Sequence, residues 1–160
     1  TVPISIAIVS IFQFIIQFTI FIGFFFYYWS IGSDLNLNIY MLTLPLILLH
    51  MATLSVGMGL IISAATAKYR DLTFAMTFLI QLWMYITPVV YPLSQVPDKY
   101  KIFFVINPMT AVVESFRGAF FGVSALIPQE LLLSIAITIF VFIYGVIIFT
   151  KVEKTFMDTV

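Results

Sequence analysis

Charge is missing from four long stretches of this chain, and that constrains its fold more than any motif it carries. No Asp, Glu, Lys or Arg precedes Asp34, and none occurs between Asp34 and Lys68, between Asp71 and Asp98, or between Glu130 and Lys151. A helix needs about 20 mostly apolar residues to cross roughly 30 Å of hydrocarbon. One charge at its centre costs about 2.5–3.5 kcal/mol on insertion scales. Each gap is long enough for one crossing, so the chain reads as an all-α integral membrane protein. Its 9% charged residues compare with about 25% in soluble domains. Basic and acidic residues balance at seven each, which leaves no basic excess for nucleic acid. The absence of cysteine excludes disulfides, thiolate metal sites and a cysteine nucleophile.

The expected spans are about 3–29, 43–66, 72–90 and 130–150, in a single transmembrane domain over 1–160 that ends in a charged tail, 151–160. The first has no basic flank and is too long an apolar run for a cleaved signal peptide. Pro3 and Pro45 suit first helical turns, where the missing N–H costs nothing. Phe24 to Trp29 is an aromatic cluster of the kind found at membrane interfaces. Pro88 and Pro92 kink or end the third span.

The segment 98–121 is apolar but broken at Asn107-Pro108, a good N-cap followed by a good first helical residue. The helix after the break is only about 20 Å long at 1.5 Å per residue, too short to span. Two short re-entrant or interfacial helices are therefore expected, with an ordinary fifth span as the alternative. Re-entrant backbone survives only where protein or water covers it. Glu114 and Arg117 lie three apart and are expected to pair. With four spans, Lys68, Arg70, Lys151 and Lys154 share one side and Lys99, Lys101 and Arg117 the other. The tighter cluster of the first four places both termini in the cytoplasm.

The sequence carries no P-loop, no zinc-protease helix and no nucleophile elbow. His50 lies inside the second span, where it either bonds a neighbouring helix or lies on a transport path. Thr73, Thr77, Gln81 and Tyr85 recur every four residues along the third span. Gln13 and Gln17, with Ser10, share a face of the first. Lipid cannot satisfy these groups, so the stripes either bond between helices or line a hydrated conduit. Ser55, Gly59, Ser63 and Ala67 form a small-residue stripe suited to close helix packing. Trp83, Tyr85 and Tyr91 are the aromatics best placed to stack on a sugar.

An ordered set of segments then carries a resemblance: Tyr69-Arg70-Asp71, Gln81-Leu82-Trp83, Thr87-Pro88-Val89-Val90-Tyr91-Pro92, Val96-Pro97, Asn107-Pro108, Glu114-Ser115-Phe116-Arg117, and Glu153 to Asp158 in the tail. Over roughly Tyr69 to Val160 the chain resembles the membrane subunit of type-2 ABC exporters, in particular the group that exports O-antigen, capsule or teichoic-acid polymers. The first two spans agree in pattern only. The resemblance implies a chain beginning at the third of six family spans, so that the main ATPase-docking segment precedes it.

It further implies that two copies form one pore in the bacterial cytoplasmic (inner) membrane, with the C-terminus cytoplasmic. Separate ABC ATPase subunits, holding ATP and Mg, drive it, and this chain holds no cofactor, metal or catalytic residue. Tyr69, Arg70 and Asp71 become a minor coupling turn. The segment 98–121 supplies external gate helices through Asn107, Pro108, Glu114 and Arg117. Gln13, Gln17, Thr73, Thr77, Gln81 and Tyr85 line the path of a lipid-linked glycan. Two other readings stand beside this one: a type-2 ABC permease for a drug or lipid, and a non-ABC membrane enzyme that modifies glycans.

Overall fold

A computed structural model describes residues 2–32, 39–69, 71–122 and 127–157, with side chains described over 12–32, 41–69, 71–122 and 127–154. Among them there is no strand. Helix α1 runs over Val2–Ser30, α2 over Leu44–Lys68, α3 over Leu72–Ile86, α4 over Asp98–Ile106, α5 over Pro108–Phe121 and α6 over Pro128–Met157. Single 3₁₀ turns occupy Ile39–Thr43 and Leu93–Gln95. The chain divides into two compact units, Thr1–Leu37 and Asn38–Val160.

The first unit is α1. Among its described side chains Phe25 is buried, while Gln13 and Gln17 are exposed. Phe14 stacks on Phe18, and Phe26 meets Trp29 edge-on.

Among the described residues three helices are long and apolar enough to cross a membrane, over Phe12–Ser30, Met41–Lys68 and Pro128–Lys154. At 15 residues, α3 falls short of that length. α6 does not stop where the charges begin but continues through Lys151, Glu153 and Lys154.

In the second unit α2 and α6 pack together along their length. A Cβ on Gly57 would lie 2.8 Å from the Phe142 Cα, and one on Gly145 would lie 2.5 Å from the Gly57 carbonyl oxygen. The two backbones touch there because neither residue has a side chain. Higher up, His50 meets Ser134 and Thr138. Contacts therefore advance in the same direction on both helices, and α2 and α6 run parallel. The small-residue stripe of α2 takes no part in this crossing: Ser55, Gly59, Ser63 and Ala67 are all exposed. Gly57 and Ala64, between the stripe positions, are the buried small residues.

The break at Asn107 lies between α4 and α5. The Asn107 side chain accepts a hydrogen bond from the Met109 N–H at 3.1 Å, and Pro108 follows as the first helical residue. α5 ends at Gly122, whose positive φ of 69° suits a residue without Cβ. It packs beside the first halves of α2 and α6, and a groove of about 680 Å³ remains between the three helices, reached by His50, Thr53, Ser115 and Thr138.

Candidate functional site

The turn that follows α3 is where the polar groups of the second unit converge. Thr87 is extended, as a residue before proline must be, and this ends α3. Its hydroxyl donates to the Trp83 carbonyl at 3.0 Å and accepts from Asn107 Nδ2 at 2.9 Å. Six residues on, the Leu93 N–H donates to Glu114 Oε1 at 3.1 Å. The same carboxylate oxygen accepts from Arg117 Nη1. Arg117 Nη2 reaches the carbonyls of Pro88 and Val89 at 3.4 and 3.3 Å. Those carbonyls are available because the turn between two prolines forms no helix.

Glu114 is therefore not half of a simple ion pair. It is 1% exposed and holds one backbone donor and one guanidinium at once. Arg117, 20% exposed at its side chain, neutralises it and caps the other side of the turn. Together they clamp residues 88–93 onto α5. Burying a carboxylate is tolerable only with such partners.

A second polar chain runs from the same elbow into the helix pair. Ser134 Oγ donates to the Pro108 carbonyl at 3.0 Å and lies 3.3 Å from His50 Nε2, which lies 2.8 Å from Thr138 Oγ1. Nε2 carries at most one proton, so which hydroxyl it donates to follows the tautomer. Of the two roles open to His50, bonding to a neighbouring helix is observed, with the ring also at the groove wall. Thr110, buried on α5, has an Oγ1 with no hydrogen-bond partner among the described residues.

The other candidate residues lie apart from this cluster. Thr73, Thr77, Gln81 and Tyr85 are all exposed on α3, which has no buried residue. Thr77 bonds back to the Thr73 carbonyl at 3.1 Å, and the Tyr91 hydroxyl donates to the Tyr85 carbonyl at 3.0 Å. Tyr69 and Asp71 are exposed at the turn before α3, and Arg70 lies outside the described residues.

Residues 1–121 match the family described as ABC-2 type transporter. The chain belongs to the ABC-2 type transporter family. It is a multi-pass membrane protein of a transport family, which removes the reading as a glycan-modifying enzyme. The chain is 30% identical over 79 residues to the O-antigen export system permease protein RfbA of Myxococcus xanthus, covering 48% of this chain and 30% of that protein. It is 27% identical over 116 residues to the protein of the same name from Klebsiella pneumoniae, covering 72% of this chain and 44% of that one. The ABC-2 chain thus aligns with less than half the length of these curated relatives.

Within this ABC-2 chain, the structure gathers Asn107, Pro108, Glu114 and Arg117 into one cluster. It adds four residues that sequence reasoning did not single out as a site: Thr87, Leu93 through its backbone, Ser134 and Thr138. A signal for the last two was present, since Ser134, Thr138 and His50 are polar groups inside otherwise apolar helices and must find one another.

Proposed function

We propose that this chain forms the pore part of the permease of an ATP-driven exporter that moves a lipid-linked polysaccharide across the bacterial cytoplasmic membrane. The observation that carries the reading is an unburied helix, α3, with a stripe of neutral polar groups, joined at one end to a tightly hydrogen-bonded hairpin. Hydroxyls and amides that lipid cannot satisfy need protein or water opposite them. A glycan path needs a wet, weakly binding wall, and neutral groups provide it without trapping a phosphorylated polymer. Two copies of the permease, facing each other across their α3 helices, close that path. ATP and Mg are held by a separate ABC ATPase, which docks partly through Tyr69, Arg70 and Asp71. The cargo rests on the relatives named for O-antigen export.

The parallel run of α2 and α6 supports the topology. Two parallel spans require an odd number of crossings between them, and α3 is the apolar helix available. At about 22 Å by 1.5 Å per residue it is short for hydrocarbon but adequate beside a hydrated pore. The hairpin α4–α5 then lies re-entrant on the outer side, next to the first halves of α2 and α6, and both termini are cytoplasmic. Cysteines placed at 98 and 129 should label from outside, and those at 69 and 151 should not.

Deleting the gene for the parent permease should leave lipid-linked polymer on the inner face of the membrane, and the permease should copurify with a P-loop ATPase. Normal surface polymer in the deletion strain overturns the cargo. Hydrolysis of ATP by the permease alone overturns the separate motor.

A further inference from the structure

We infer that α2 and α6 keep one register throughout the transport cycle and act as a single two-helix body, with Gly57, Gly145 and His50 as the positioning residues that fix it. The inference rests on the exporter reading above and goes beyond it by naming the part of the permease that does not rearrange.

The two helices meet along matched seams. Positions 47, 50, 54, 57, 61 and 64 of α2 are buried or half-buried, and so are 134, 138, 141, 145, 148 and 152 of α6. Both sets alternate steps of three and four residues. That period of about 3.5 keeps two helices face to face along a left-handed coil. At 1.5 Å per residue the seam of α2 runs about 25 Å, close to the thickness of the hydrocarbon.

Two layers of the seam fix its register. In one the backbones touch, since a Cβ on Gly145 would lie 2.5 Å from the Gly57 carbonyl oxygen. Gly145 is the only glycine of α6. A one-turn slip of α6 in either direction would put Val141 or Phe149 in its place and drive a Cβ into the Gly57 carbonyl. The other layer lies two turns nearer the helix starts, where His50 Nε2 is 2.8 Å from Thr138 Oγ1 and 3.3 Å from Ser134 Oγ. One polar layer in an apolar seam favours the alignment in which its groups meet. Steric contact at the first layer opposes slipping, and hydrogen bonds at the second oppose rotation of one helix on the other. Partners on the other faces of α2 and α6 add to this hold and do not replace it.

The body so defined reaches both ends of the permease. α2 runs directly into the turn read as the ATPase contact, where the Tyr69 N–H donates to the Ala65 carbonyl at 2.9 Å. α6 meets the elbow of the hairpin through Ser134, which donates to the Pro108 carbonyl at 3.0 Å. The movement that opens a path is then taken up between this pair and the helices around it, and not between α2 and α6.

The test uses the full-length permease assembled with its ATPase in a lipid bilayer, with no cysteine other than those introduced. A Cβ on Gly57 would meet Val141 and Phe142, and the same offset two turns on sets Ala64 beside Ile148. Ala64→Cys with Ile148→Cys should therefore close a disulfide on oxidation, and export should run at the same rate oxidised and reduced. Failure to form the disulfide overturns the register. Export that stops on oxidation and returns on reduction overturns the single body. Spin labels on the exposed positions Val56→Cys and Phe140→Cys follow the pair without a bond between the helices. Their separation should agree in the resting and nucleotide-trapped states, and a change beyond about 1–2 Å, the size of ordinary helix shifts in such transitions, overturns the proposal. Export absent in both redox states, with no ATPase copurifying, removes the exporter reading and the transport role of the pair with it. Arrest by the disulfide alone removes the single body and leaves the exporter reading in place.

Discussion

Helices α3 and α5 are nearly the same length, 15 and 14 residues, yet α3 buries nothing and α5 buries seven residues, among them a carboxylate. In a soluble protein the more apolar helix takes the interior. Here α3 is the more apolar of the two and stands exposed, while α5, with Thr110, Glu114 and Arg117, sits against its neighbours. Hydrocarbon is a good environment for Phe74 and Phe78 and a poor one for Glu114. The groups that lipid cannot satisfy set the interior. The exposed stripe on α3 is the exception, and it is what points to a wet surface.

The largest effect should come from the charge that keeps α5 inside. Arg117→Ala takes the guanidinium away from the buried Glu114 carboxylate, and breaking a buried ion pair costs about 3–5 kcal/mol. Folded yield and thermal stability in detergent should fall accordingly. The double reversal Glu114→Arg with Arg117→Glu should not restore them, because a guanidinium at 114 cannot accept the Leu93 N–H and a carboxylate at 117 cannot donate to the Pro88 carbonyl. Full recovery in the double reversal would reduce the clamp to a simple pair.

A second contrast lies between two glycines of α2. Gly57→Ala drives a Cβ to 2.8 Å from the backbone of α6, and overpacking of this kind costs about 1–3 kcal/mol. Gly59→Ala meets nothing within 4 Å and should gain about 0.5–1 kcal/mol from helix propensity. Thermal unfolding of the two variants in the same detergent checks the sign of each. Equal losses would mean that the exposed face of α2 is as tightly packed as the buried one.

These glycines mark where the sequence was legible and where it was not. The charge gaps placed the apolar helices, and Asn107-Pro108 placed the break between α4 and α5, because both signals are local. Spacing of three likewise brought Glu114 and Arg117 together. Which face of α2 meets α6 was not local: the four-residue stripe through Gly59 was the more regular pattern, but the crossing point depends on where Gly145 lies on another helix. The clamp was hidden for a related reason. Its acceptors and donor at Pro88, Val89 and Leu93 are backbone groups, which have no signature in the sequence beyond the prolines that free them.

Two threonines test the same comparison at smaller scale. Thr87→Val removes the hydroxyl that receives Asn107 Nδ2 and leaves a buried amide donor unpaired, a loss of about 1–3 kcal/mol. Thr110→Val removes a buried hydroxyl that has no partner among the described residues, so stability should be unchanged or raised. Urea or thermal titration of both variants should therefore separate them, and a comparable loss at Thr110 would reveal a bound water or a second conformation that uses its hydroxyl.

The smallest effect on stability should come from α3, and it is the most informative about function. Gln81 is exposed, so Gln81→Leu should change stability by no more than about 0.5 kcal/mol, as substitutions at such positions do. Were the amide instead buried between helices of one subunit, its loss would leave a partner unpaired and lower the folded yield. The export reading expects the opposite division: normal insertion and dimerisation, with slower appearance of polymer at the cell surface. A leucine adds apolar surface to a wall that must stay wet, and it removes one donor and one acceptor that a passing sugar hydroxyl could use. Accessibility supplies the independent measurement. Cysteines at 77 and 81, one turn apart on the same face, should react with small water-soluble thiol reagents in the assembled dimer, whereas a cysteine at Phe78, off that stripe, should react slowly. If positions 77 and 81 stay unreactive in both the resting and the nucleotide-bound states, the stripe does not face water, and α3 is not the wall of the pore.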